Sequence, residues 1–431
     1  MLPENFSALS RRALLKLLAA GTGGVALGGL DTLQAALQEG AAQSLPTFTG
    51  PGPNPYWNSV GPIGSYPQKL PLIVLTGRPV QLETPRQFFS TAITPNSAFF
   101  VRWHLPDIPN AVDLAEWRLR VEGNVEKPLT LSMSDLLQQY QPVSVTAANQ
   151  CSGNSRSRLQ PRVAGGQWGN GAMGNAIWIG VKLTDVLRAA GIKKDSVAVQ
   201  FQGLDRGKGP EGLGSYAFLK SLDLSNPVLD ECILAYTMND EPLPLLNGFP
   251  LRLIVPGYFA TYWMKCLSWI RVLDKPDENF WMKTGYRIPD TPGGTTTPED
   301  VKAGKVKTIP IHRMPVRSFI VSPDGSGKIP VNLPVVLSGI AFSGSGHIVK
   351  VEISTDDGKT WQEARLGKYL GKYSFRTWEQ PWAPSRPGRF TLAVRATDEK
   401  GNVQPDEPVW NAGGYLWNKI ERQDVMVGSA G

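Results

Sequence analysis

Glycine and proline interrupt this chain so often, 45 and 36 times in 431 residues, that short strands joined by many turns are expected in place of a helical bundle. Apolar content of 41% and charged content of 19% are ordinary for a globular protein and argue against disorder. The length suits two domains and a short extra segment. Residues 31–90 read as extended and proline-rich. A mixed region follows, in which Trp117 to Gly123 alternates like a strand. Ser132 and Asp135 form a capping-box pattern that predicts a short helix to Tyr140. Thr184 to Gly191 predicts a second helix, with Thr184 as N-cap and Gly191 as terminator. Val197–Phe201 and Leu251–Val255 read as strands.

Between Arg287 and Ile309 the texture changes. The run Asp290-Thr-Pro-Gly-Gly-Thr-Thr-Thr-Pro-Glu-Asp300 has no apolar periodicity and reads as a linker. Beyond it Val349, Val351 and Ile353 alternate before the turn at Asp356-Asp357-Gly358. Phe390, Leu392, Val394 and Ala396 alternate before Asp398. Strands and turns at this spacing over about 120 residues predict an immunoglobulin-like sandwich.

The first thirty residues read as an export signal. Arg11-Arg12 precedes an apolar Gly/Ala-rich run from Leu17 to Leu30, shorter than the ~20 residues that span a bilayer. The paired arginines fit the twin-arginine route, which carries folded proteins, and imply a periplasmic location. Small residues at Ala35-Ala36 and Ala41-Ala42 offer cleavage sites. No later stretch reads as a membrane span.

The net charge is +7, and the signal region taken as residues 1–42 carries three basic and three acidic residues, so its removal leaves that balance unchanged. A basic exported protein attracts an anionic substrate or an acidic redox partner; a solubilising surface bias explains the charge equally well. No nucleic-acid module is present in the sequence. The three cysteines, Cys151, Cys232 and Cys266, do not make a disulfide scaffold. Cys232 and Cys266 lie in apolar runs and read as buried free thiols.

Cys151 stands apart, in Ala-Ala-Asn-Gln-Cys-Ser-Gly-Asn-Ser-Arg (147–156). A bulky metal complex can reach a thiolate in such a turn, and Gly153 allows close backbone approach. Three scattered histidines (His104, His312, His347) do not suggest zinc, which wants four nitrogen or sulfur ligands. Dinucleotide and phosphate-loop fingerprints and a haem-attachment motif are missing. On its own, such a cysteine is more often a buried structural thiol than a ligand.

The segment Cys151-Ser-Gly-Asn-Ser-Arg156 resembles the cysteine motif of the sulfite oxidase family of molybdenum enzymes. Phe99-Phe-Val-Arg-Trp-His-Leu-Pro106 is similar to its Arg-Asn-His-Leu-Pro segment. Ala235 to Pro244, Asn247 to Gly257 and Lys265 resemble the stretch that wraps the pterin. Asp356-Asp-Gly-Lys-Thr-Trp361 and Gly401-Asn-Val-Gln-Pro405 resemble the family's C-terminal domain. The similarity runs in unbroken order from about residue 80 onward.

This resemblance implies an α+β protein: a mixed α/β molybdopterin-binding domain of sulfite-oxidase type, followed by the all-β immunoglobulin-like sandwich. The expected division is a cleaved signal over 1–42, a catalytic domain over 43–290, a linker over 291–308 and a dimerisation domain over 309–431. It implies a molybdenum–molybdopterin cofactor with Cys151 as the protein's metal ligand, kept deprotonated by the metal. Arg102, Arg156 and Tyr286 would form the anion pocket, arginine being suited by its planar, permanently charged fork. His104, Asp205, Asn247, Arg252, Trp263, Met264 and Lys265 would hold the pterin and its phosphate. Arg376 is a further candidate to reach the pocket from the C-terminal domain.

Three positions depart from the family pattern. Trp103 replaces a frequent asparagine, Ser155 the first of two arginines, and Asn247 a common histidine. The first two are expected to alter pocket polarity or the path to a redox partner. The expected activity is oxidation of sulfite to sulfate, with electrons leaving singly to a separate cytochrome c or haem subunit, in a homodimer or a heterodimer with that subunit. An exported molybdenum sulfoxide reductase and a cofactor-free binding protein are the rivals.

Overall fold

The computed structural model describes residues 63–64, 66–208 and 215–428. The twin-arginine segment and its cleavage sites lie outside the described residues. Two five-stranded sheets build the first half. One runs Ser215–Asp223, Ala198–Lys208, Trp269–Leu273, Leu119–Gly123 and Leu129–Leu131. Its only parallel pair is Trp269–Leu273 with Leu119–Gly123. The other runs Glu241–Pro242, Ile233–Met238, Met173–Lys182 and Pro142–Gln150, with Arg252–Ile254 added to Ile233–Met238. A small sheet of Ile63–Gly64, Leu72–Gly77, Val80–Glu83 and Val101–Arg102 flanks them.

Local chemistry explains the two longer helices. At Met133–Gln139 the Ser132 side chain accepts from the Asp135 N–H while the Asp135 carboxylate accepts from the Ser132 N–H, the reciprocal box read from sequence. The helix ends before Pro142, which disfavours helical geometry in the residue preceding it. Leu183–Ala190 buries Leu183, Val186, Leu187 and Ala190, one apolar stripe. Gly191 (φ 68°) stops it, and Thr184 is not its N-cap. The chain passes from the strand ending at Lys182 straight into the helix, so Thr184 already lies in the first turn and Lys182 takes the cap position without a side-chain bond.

The stretch expected to be a featureless linker is folded. Arg287–Pro289 pairs with Thr308–Pro310, and Pro298–Lys302 is a short helix capped by Thr297. Local capping, invisible to apolar periodicity, builds it. The second half packs Arg317–Ser322, Val335–Phe342, Arg376–Trp382 and Arg365–Leu366 against Lys328–Pro330, Glu421–Gly428, Gly388–Asp398, Ile348–Ser354 and Gln362–Glu363. Ile320, Leu337, Val351, Trp378, Leu392, Val394 and Val425 fill the space between the sheets, giving the α+β arrangement with a sandwich. Val349 is exposed, although it alternates with Val351 and Ile353 in sequence. A register shift between Ile348 and Lys350 turns Ile348 inward in its place.

The halves meet through packing and polar contacts. Phe319, Phe342 and Phe375 belong to the first half's core. Ala147 bridges Tyr373, and Arg317 Nη2 donates to Ser155 Oγ at 2.7 Å. Among the described residues no helix is long and apolar enough to cross a membrane.

Candidate molybdenum-cofactor site

Cys151 follows the strand Pro142–Gln150 and opens a tight turn. The Asn154 N–H donates to the Cys151 carbonyl (3.0 Å), the Arg156 N–H to the Gly153 carbonyl (3.0 Å), and Asn154 Oδ1 accepts from the Ala172 N–H (2.9 Å). Cys151 is 7% exposed and faces a cavity with Phe100, Arg102, His104, Ser152, Asn247, Arg252, Thr261, Lys265 and Tyr286 in its wall. Segments distant in sequence thus bring together seven of the expected site residues: Arg102, His104, Cys151, Asn247, Arg252, Lys265 and Tyr286.

Arg102 and Tyr286 act as a pair, with Arg102 Nη2 donating to the Tyr286 hydroxyl at 3.1 Å. Tyr286 has a left-handed backbone (φ 53°). The hairpin beside it fixes that conformation, because the Ile311 N–H donates to the Tyr286 carbonyl at 2.9 Å. Burial pushes the Tyr286 phenol up, against a smaller opposing pull from Arg102, so it stays a hydrogen-bond donor at any working pH. His104 stacks on Phe218 with ring centroids 3.5 Å apart. Burial first, then the cations Arg102, Lys265 and Lys220, hold its imidazole well below the usual range, and it is neutral.

The opposite wall is cationic. Arg252 donates to Asn149 Oδ1 (3.1 Å) and the Asn247 carbonyl (3.0 Å) and lies against the rings of Trp178 and Trp263; burial lowers it to about 9. Lys265 donates to the Arg102 carbonyl at 2.8 Å, with its ammonium 4.6 Å from the centroid of Trp103. Burial, then Arg252, pulls Lys265 down, while burial pushes its neighbour Asp205 up. Trp103, one of the departures, therefore carries Lys265 on its face.

Other expected site residues lie outside that wall. Arg156 does not line the cavity: its Nη1 donates to the Gly166 carbonyl (3.2 Å) and its Nη2 to the Gly413 carbonyl (2.9 Å). A Cβ on Gly153 would fall 2.6 Å from that guanidinium, so the glycine makes room for Arg156. Asp205, Trp263 and Met264 stand behind the wall. Trp263 gives its indole N–H to the Tyr258 carbonyl at 3.1 Å, and the Met264 carbonyl accepts from Leu253. Ser155 turns away, accepting from Arg317 and donating to Asn170 Oδ1, and does not line the cavity. Arg376 lies over Tyr369 in the sandwich, outside the cavity wall. Cys232 and Cys266 are buried free thiols, as expected.

Sequence reasoning missed Lys69, whose ammonium bonds the carbonyls of Asn96 (2.7 Å) and Phe99 (3.0 Å) and Asn247 Oδ1 (2.5 Å). Burial and Arg252 lower it to about 7. The Asn247 amide also donates to the Phe100 carbonyl at 3.1 Å, so both ends of that side chain serve the wall itself. Lys220, Ser152 and Thr261 were missed as well. Only a lysine in a low-charge, proline-rich stretch hinted at Lys69.

The donor set fits an anionic, hydrogen-bonding cofactor. Lys69, Arg252 and Lys265 crowd together and make no salt bridge among the described residues, with only the carboxylate of Asp205 acting on Lys265 from behind the wall, and withdrawing such charges from water costs several kcal/mol each unless an anion answers them. Asn149 Nδ2, Gln150 Oε1, Ser152 Oγ, Arg252 Nε and Thr261 Oγ1 are buried without partners in or beside the wall, and such groups call for one. Among the described residues no three His, Cys, Asp or Glu side chains converge, so a metal on Cys151 would take its remaining ligands from a cofactor.

These features define a molybdopterin-dependent oxidoreductase, and comparison with known families agrees. Residues 104–281 match the oxidoreductase molybdopterin binding domain and residues 308–427 the Mo-co oxidoreductase dimerisation domain. The chain is 33% identical over 382 residues to mitochondrial sulfite oxidase of Rattus norvegicus, covering 85% of this chain and 68% of that protein. It is 30% identical to the NAD(P)H nitrate reductase of Hordeum vulgare, covering 83% of this chain and 42% of that protein. The fold matches the sulfane dehydrogenase SoxCD of Paracoccus pantotrophus with a TM-score of 0.69 and 26% identity, over 82% of this chain and 88% of that one. The chain belongs to the sulfite oxidase family of molybdenum enzymes.

Proposed function

We propose that this enzyme oxidises a small sulfur oxyanion, sulfite, to sulfate, and hands the electrons singly to a cytochrome c-type acceptor. The observation that carries the reading is the Arg102–Tyr286 pair at 3.1 Å, set in the same cavity wall as Cys151. The overall change is sulfite plus water to sulfate, two protons and two electrons. A molybdenum–pterin group held by Cys151 would supply the two-electron redox step and the oxygen-atom transfer. The protein's share is binding and orientation. Arg102 offers a permanent cation to the anion, Tyr286 a protonated phenol, and neutral His104 a stacked wall that adds no further charge. Preorganised donors of this kind stabilise charge that develops during the reaction. Arg252 and Lys265 would meet the cofactor's phosphate, and Asp205 would stand behind its pterin.

In this reading residues 1–42 direct export by the twin-arginine route to the periplasm, and 43–290 and 309–431 are the catalytic and dimerisation domains, joined through 291–308. The curated relatives are longer than the matched region, so substrate and partner rest on the site and on experiment. The purified protein, with molybdenum quantified, is tested for sulfite-dependent reduction of ferricyanide and cytochrome c. Turnover with near-stoichiometric metal is the expected result. Full metal without sulfite turnover removes the substrate assignment and directs the search to sulfane and sulfoxide substrates.

A further inference from the structure

We propose that Tyr415, delivered by the second domain, is a positioning residue of the substrate site whose ring fixes Arg156 and Tyr286 and thereby sets affinity for the anion. The proposal rests on the sulfur-oxyanion reading above. Its basis is geometric. The Tyr415 and Tyr286 rings stack with centroids 5.8 Å apart and planes 18° apart. The Arg156 guanidinium lies 5.4 Å from the centroid of Tyr415. Tyr415 therefore touches both of the groups that flank the Arg102 side of the cavity.

The loop carrying it is built to hold that position. The Tyr415 N–H donates to Asn411 Oδ1 (3.0 Å), and Asn411 Nδ2 donates back to the Tyr415 carbonyl (2.9 Å). One asparagine thus clamps both backbone groups, leaving the ring to act through its faces. A Cβ on Gly413 would strike the Tyr415 ring at 2.4 Å, and one on Gly414 (φ 65°) would meet Arg156 Nε at 2.5 Å. Gly165 faces the same guanidinium, at 2.7 Å. Arg156 is enclosed by glycines of both domains and anchored to Gly413, so its charge is fixed near the site without lining it. Ring stacking and cation–π contact of this kind contribute a tenfold effect or less on affinity.

The test uses the metal-loaded enzyme and the variants Tyr415→Phe, Tyr415→Leu and Tyr415→Ala, with kcat, KM for sulfite and molybdenum content measured for each. Tyr415→Phe keeps both faces and is expected within about twofold of the parent. Tyr415→Ala is expected to raise KM about tenfold, with kcat within about threefold and metal content unchanged. Tyr415→Leu, which keeps bulk but not the π face, should follow Ala and stands in for it if the smaller side chain prevents folding. An unchanged KM in Ala and Leu overturns the proposal. So does a phenylalanine variant as impaired as alanine, or a joint collapse of metal content and kcat, which marks a merely structural role. If the loaded parent does not oxidise sulfite, the functional reading fails by itself. Tyr415 is then judged by calorimetric affinity for sulfate: weaker binding in Tyr415→Ala sustains its role, and equal binding ends it.

Discussion

The surface of the sandwich and the wall of the cavity treat charge in opposite ways. In the sandwich, guanidinium groups meet carboxylates near the surface: Arg395 with Glu352 at 2.9 Å, Arg389 with Asp424 at 2.5 Å, Arg422 with Asp357 and Asp406 at 2.9 and 2.7 Å. Around the cavity, Lys220 and Arg252 are buried and Lys69 and Lys265 half-buried, and among the described residues they bond carbonyls and amides in place of carboxylates. Exposed pairs contribute ~0–1 kcal/mol, whereas an unanswered buried cation destabilises by several. Stability alone does not account for the second pattern. The cavity wall thus keeps positive charge that a bound anion would answer.

The contrast can be broken by experiment. Replacing Cys151 by Ala should abolish turnover and deplete molybdenum, measured by elemental analysis, while the fold survives. A variant that retains metal and rate would remove Cys151 as ligand. Lys265→Met should lower cofactor content at least about tenfold, as loss of a supporting cation does in metal sites. The melting temperature of its cofactor-free form should stay level or rise, since an unpaired buried charge has gone. A marked fall there would show that the cation is structural and the contrast mistaken.

pH sharpens the same point. Burial lowers Lys69 and Lys220 from the usual 10.5 to about 7, so between those values the unfolded chain binds more protons than the folded one. The cofactor-free protein should therefore gain stability as pH rises from 7 toward 10, by on the order of a few kcal/mol in all. With the anionic cofactor in place the lysines stay charged and the gain should shrink. Thermal melts of both forms across pH 7–10 measure this, and parallel curves would count against an anion at this wall. The smallest effect belongs to the sandwich: Arg389→Ala should leave both melting temperature and turnover unchanged within error.

Much of this was legible in the chain, and the failures share one cause. The Ser132–Asp135 cap and the Phe390–Ala396 alternation are local codes, and they appear where they were read. Val349 was misplaced because a bulge breaks the period that alternation assumes. Arg156, expected in the anion pocket from its motif, is held by the Gly166 and Gly413 carbonyls beside Tyr415, contacts that its motif does not encode.

The sequence by itself determined the turn-rich α+β character, the sandwich and the family, because these depend on neighbours along the chain or on ordered motifs. Only the tertiary structure decided which cations face the cavity and which lie behind it. It alone brought Lys69 to Asn247, the Arg287–Pro310 hairpin to Tyr286, and Tyr415 from the far domain between Arg156 and Tyr286. Those contacts join residues up to 259 positions apart (Arg156 and Tyr415), and nothing in their local patterns encodes the distance that makes them neighbours.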